Sequence, residues 1–134
     1  MRVSSKKVPV SVWNLMSLAQ RWDVLVQDES GPFSDERDLH GAFARLLGGL
    51  AIPFQHDRMD KATTGTVGWP DFTILLPNGR TWLVEVKHPA AREPMNDLSE
   101  GQRYMRKAAS SMGHDHSVLN KWDDLVRELN TRLF

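Results

Sequence analysis

Apolar residues recur at helical spacing along most of this chain and are interrupted by two short β-rich runs. Val12, Leu15, Met16, Ala19, Trp22 and Val26 fit one helical stripe, with Trp13 beside it. Asp28-Glu29-Ser30-Gly31-Pro32 breaks the chain after it. A second helix is expected from Ser34, a good N-cap, to Gly48-Gly49, with Leu39, Ala42, Phe43, Leu46, Leu47 and Leu50 as its apolar stripe. A third begins at Ser99, where Ser99-Glu100-Gly101-Gln102 has capping-box spacing. The last helix is expected to follow Asn120 as its cap, with Trp122, Leu125, Leu129 and Leu133 turned inward.

The strands are shorter. Ile52-Pro53-Phe54 begins the sheet, and Ser117-Val118-Leu119 reads as a short later strand. Between them, Phe72-Thr73-Ile74-Leu75-Leu76 and Arg80 to Lys87 flank the turn-forming Pro77-Asn78-Gly79, which predicts an antiparallel hairpin. Alternation puts Thr81, Leu83, Glu85 and Lys87 on one face and Trp82, Val84 and Val86 on the other. Register then decides where Asp71 falls. A two-residue turn at Asn78-Gly79 would set Asp71 opposite Val86. A three-residue loop with Gly79 left-handed pairs Leu76 with Arg80 and sets Asp71 opposite Glu85, and this is the register expected.

In that register Asp71 and Glu85 have Cβ atoms roughly 4.5 to 5.5 Å apart, within reach of one cation. Asp after Pro is also ordinary turn chemistry, and Glu-x-Lys on an edge strand is ordinarily a solvated face. Opposed carboxylates nevertheless destabilise a hairpin unless something cationic lies between them. Asp71, Glu85 and Lys87 together are what a magnesium-dependent phosphodiesterase requires, namely hard oxygen ligands and an ammonium beside them.

Composition narrows the setting. The chain has 134 residues, 40% of them hydrophobic, which suits one compact domain with a modest core. It has no cysteine, so disulfide and thiolate chemistry are excluded, and no run long or apolar enough for a signal peptide or membrane span. An intracellular, cytoplasmic setting is the expectation. Basic and acidic side chains balance at 17 each, unlike most DNA-binding domains. The basic ones cluster, however: Arg2, Lys6 and Lys7 at the start, Arg58 and Lys61 in the irregular stretch from Gln55 to Val67, and Arg103, Arg106 and Lys107 on one helix. The last five are candidate phosphate contacts, and the stretch around Arg58 is a candidate substrate loop. Strong salt sensitivity is expected of contacts made through phosphates.

These residues resemble the PD-(D/E)XK nuclease superfamily, and more closely its VRR-NUC branch. The resemblance rests on an early helix with a glutamate, Gly68-Trp69-Pro70-Asp71, Glu85-Val86-Lys87, and Leu98-Ser99 followed by Gln102, and it covers roughly residues 34–130. It implies an α/β fold with a restriction-endonuclease-like core, a mixed central β-sheet flanked by helices. Residues 1–33 would be an N-terminal basic lead and helix, and residues 34–134 the nuclease domain. It further implies phosphodiester hydrolysis with Mg2+ or Mn2+. Asp71, Glu85, Glu36 and the Val86 carbonyl would be metal ligands, Lys87 would orient water, and Gln102 would complete the site.

Position alone leaves Glu36 open between complementing the helix dipole and facing the metal, and Gln102 open between capping and the site. The chain departs from the family in the long proline-bearing loop His88 to Asp97. The function so implied is a DNA endonuclease selective for nicked or branched DNA, the expected partners being that DNA and a second copy in a homodimer. The rival is a non-cleaving DNA- or protein-binding module on the same fold. His114-Asp115-His116 suggests a zinc pair but lacks further ligands at defined spacing, and His88 reads as a loop residue.

Overall fold

The fold was described from a computed structural model, which covers residues 5–29, 31–57 and 68–134. Arg58, Lys61 and the candidate substrate loop around them lie outside the described residues.

The N-terminal stripe does not form one helix. A short α1 (Val10–Trp13) ends in a turn, and α2 (Leu18–Asp28) restarts at Ser17, whose side chain and that of Gln20 make a reciprocal capping box. This local cap ends the run that periodicity alone extends, because Ser17 satisfies the backbone N–H groups of a new first turn. Val12 and Leu15 are consequently exposed, and Trp22 and Leu25 are the residues of α2 that enter the core.

The second helix, α3 (Glu36–Gly49), is capped by Asp35 and not by Ser34. The Asp35 carboxylate accepts from the Asp38 N–H at 2.8 Å, while the Ser34 hydroxyl donates to the Asp38 side chain. Asp35→Ala is expected to cost about 1 kcal/mol in urea unfolding, and Ser34→Ala a smaller amount. Leu39, Ala42, Phe43, Leu46, Leu47 and Leu50 are buried as the stripe requires.

Four strands form a mixed sheet in the order β1 (Phe54–His56), β2 (Phe72–Leu76), β3 (Arg80–Val86), β4 (Asp115–Leu119). The first three are antiparallel neighbours and β4 runs parallel to β3. Leu76 pairs with Arg80 across Pro77-Asn78-Gly79, with Asn78 and Gly79 both at positive φ, so the three-residue loop sets the register as expected.

One sheet face supplies Phe72, Ile74, Trp82, Val84 and Val86 to a core closed by α2, α3 and α5 (Trp122–Leu133). Trp22 and Leu25 belong to this same cluster, so the N-terminal helix packs on the core. The other face carries Leu83 and Glu85 and lies against α4 (Glu100–Ser111). Among the described residues no helix is long and apolar enough to cross a membrane.

The long loop after Lys87 is pinned from several sides. Asn120 does not cap α5, whose N-cap is Lys121 without a side-chain bond. Its buried amide donates instead to the carbonyls of His88 (3.0 Å) and Ala91 (2.6 Å), and Lys121 donates to the Pro89 carbonyl. A buried amide is more stable with both donors used than left half paired at a helix end, and this decides its role.

Candidate metal and phosphate site

The site forms where β2 begins and β3 ends. Phe72 pairs with Val84, so Asp71 continues the ladder opposite Glu85. The Val86 backbone is satisfied by side chains: its N–H donates to Asp71 Oδ2 at 2.8 Å, and its carbonyl accepts from His40 Nε2 at 3.0 Å. Asp71 is therefore held by the end of β3.

Glu85 is 1% exposed. Its Oε1 accepts from Gln102 Nε2 at 2.9 Å, whereas its buried Oε2 meets no donor. Burial first, then hydrogen bonding and charge from Asp71, push the Glu85 carboxyl up to about 9; Lys87 opposes the shift and Glu36 adds to it. Two carboxyls sharing such a space need either a proton or a cation between them.

Gln102 caps α4 and also touches two of the candidate site residues. Its Oε1 accepts from the Ser99 N–H and from Lys87 Nζ, each at 2.9 Å, while its Nε2 holds Glu85. The capping box therefore fixes the side chain that links Lys87 to Glu85. Close backbone contact brings α4 near enough for this: Gly68, at φ +85°, passes so near Gly101 that a Cβ on it would fall 2.2 Å from the Gly101 carbonyl carbon.

Glu36 opens α3, partly buried and close enough to act on Glu85 electrostatically. It does not complete a cage. Among the described residues no group of three or more His, Asp or Glu is placed to hold a metal ion. The candidate donors are the carboxylates of Asp71 and Glu85, with Glu36 in electrostatic reach of Glu85, and the Val86 carbonyl has one of its two lone pairs committed to His40. A hard cation of the magnesium type is commonly bound in this way, through one or two carboxylates with water and phosphate oxygens filling the remaining positions. The buried, donorless Glu85 Oε2 is an atom that fits it.

Asp57 is a further acid nearby. Its N–H donates to the Asp71 carbonyl at 2.9 Å, and burial, then Asp71, raise its pKa.

The basic residues of α4 are spent differently. Arg103 donates to the carbonyls of Leu98 and Asn96, bracing the loop, and Arg106 donates to the His116 carbonyl. Lys107 is exposed. In His114-Asp115-His116, Asp115 pairs with Arg132 and His116 Nδ1 lies 3.0 Å from Arg106, while His116 Nε2 is buried without a partner among the described residues; separately, His88 Nδ1 accepts from the Ala90 N–H in a turn.

Sequence reasoning missed His40 and its partner His56. His40 lies one helical turn after Glu36 and so shares its face, a spacing that was readable. Its contact with Val86 depends on how α3 crosses the sheet, which was not. Compared with protein-family models, curated proteins and solved structures, the chain matches none of them.

Proposed function

We propose that this chain is a divalent-metal-dependent DNA endonuclease on a restriction-endonuclease-like core, acting on nicked or branched DNA as a homodimer. The observation that carries the proposal is the buried Glu85 Oε2, without a donor and beside Asp71, with Lys87 joined to the same carboxylate through Gln102. The VRR-NUC resemblance of the same residues supports the choice of DNA. When bound, Mg2+ or Mn2+ supplies Lewis acidity toward a phosphate oxygen and a water.

The chain's own groups do the rest. Asp71 and Glu85 present oxygen ligands; Gln102 fixes Glu85 and aims Lys87; the Lys87 ammonium orients a water and offsets charge developing on the phosphate. Hydrolysis proceeds by direct attack of water, leaving no bond between protein and DNA.

Beside these groups lies a groove of about 440 Å3 bordered by Trp69, Thr73, Leu83, Tyr104 and Met112. Trp69 is 42% and Tyr104 71% exposed. Exposed aromatic faces next to a phosphate site suit unpaired bases, which stack without regard to sequence, and this favours branched over continuous duplex DNA.

The test is incubation of the purified chain with Mn2+ and nicked, flapped and four-way DNA. Cleavage is expected, absent in Asp71→Ala and reduced at least ~100-fold in Lys87→Ala. Binding of these DNAs with no cleavage in Mn2+ or Mg2+ would make the chain a non-cleaving module instead. Cleavage unchanged in both variants would point to a contaminant.

A further inference from the structure

His40 is 1% exposed on the core side of the sheet, at a position where an apolar residue would otherwise pack. A buried imidazole is unfavourable unless both nitrogens find partners. Here they do. His40 Nε2 lies 3.0 Å from the Val86 carbonyl and 3.4 Å from Asp71 Oδ2, and Nδ1 lies 2.8 Å from His56 Nε2. A carbonyl and a carboxylate only accept, so Nε2 carries a hydrogen, and a neutral ring takes the His56 Nε2–H at Nδ1.

His56 is itself oriented. Its ring stacks on Phe72 with centroids 4.3 Å apart and planes 2° from parallel, and it stands opposite Phe72 in the β1–β2 ladder. The order of contacts is therefore Phe72 to His56 to His40, and from one nitrogen of His40 to two groups offered to the cation.

We infer that His40, held by His56, is a positioning residue for the metal site: it fixes the rotation of the Asp71 carboxylate and the direction of the Val86 carbonyl together. With Oδ2 held by the Val86 N–H and facing His40, Asp71 would have Oδ1 left to offer a cation. Carboxylates that bind metals are commonly held by such outer hydrogen bonds, and losing one lowers metal affinity. This inference rests on the proposed metal site.

It is tested by Mn2+ binding, followed by electron paramagnetic resonance at fixed pH, with urea unfolding in chelator run alongside. His40→Leu is expected to weaken Mn2+ binding about 10- to 100-fold. His40→Gln, whose amide restores a donor toward Val86, is expected to recover most of that loss. His56→Leu, which leaves His40 without its anchor, is expected to give a smaller loss in the same direction.

A role confined to filling the core would lower the urea midpoint of His40→Leu and leave its Mn2+ affinity unchanged, and that result overturns the inference. Should His40→Leu fail to fold, unchanged Mn2+ affinity in His56→Leu overturns it equally. Wild-type protein that binds no Mn2+ overturns the metal site itself, whereas wild-type binding indifferent to both histidines overturns this inference alone.

Discussion

Glu85→Gln is expected to abolish metal-dependent cleavage and, at the same time, to make the metal-free protein more stable at pH 8. The two effects have one cause. In the fold Glu85 keeps its proton to about 9, because burial and the facing Asp71 disfavour its charge. In the unfolded chain it ionises near 4.5. Between these values the folded chain binds more protons than the unfolded one, so stability is greatest below the lower value and falls as pH rises through the window.

Glutamine has the same shape, can still accept from Gln102, and carries no charge to suppress. The variant should therefore match wild type near pH 4.5 and exceed it by about 1–3 kcal/mol at pH 8 in chelator. Urea midpoints at the two pH values give the comparison. Equal stabilities at pH 8 would mean that the buried carboxyl is relieved in some other way, and the argument for a cation in that space would lose its main support.

Gly68→Ala is expected to be strongly destabilising and to disable the site. The added Cβ would lie 2.2 Å and 2.3 Å from the Gly101 carbonyl carbon and oxygen and 2.7 Å from the Gln102 nitrogen. All three are backbone atoms that no side-chain rotation can move aside. Gly68 also sits at φ +85°, where L-residues are strained.

Together these are expected to cost ~3 kcal/mol or more, read as a lower urea midpoint. Movement of α4 away from the loop would carry Gln102 off both Lys87 and Glu85, so activity should fall further than stability accounts for. Gly79→Ala is the control, since its φ is also positive but open space surrounds it. If Gly68→Ala and Gly79→Ala were equally mild, the close crossing would not be what holds the site together.

Much of this was legible in the residues. The hairpin, its three-residue loop and its register follow from Pro77-Asn78-Gly79 and from strict alternation in β3, both local. The stripes of α3 and α5 were readable for the same reason, since burial repeats at the helical period. Errors fell at helix ends. Ser17 split the first stripe, Asp35 replaced Ser34, and Asn120 turned from capping to pinning a loop, because a short polar side chain has several backbone partners within reach and packing selects among them.

What the sequence by itself determined is the pairing of Asp71 with Glu85 and the shared face of Glu85 and Lys87, since β pleating and turn length act over a few residues. What only the tertiary structure decided is that Gln102 reaches both members of that face and that His40 takes the Val86 carbonyl. Those contacts join segments far apart in the chain, and their geometry comes from how α3 and α4 settle on opposite faces of the sheet, which no local periodicity encodes.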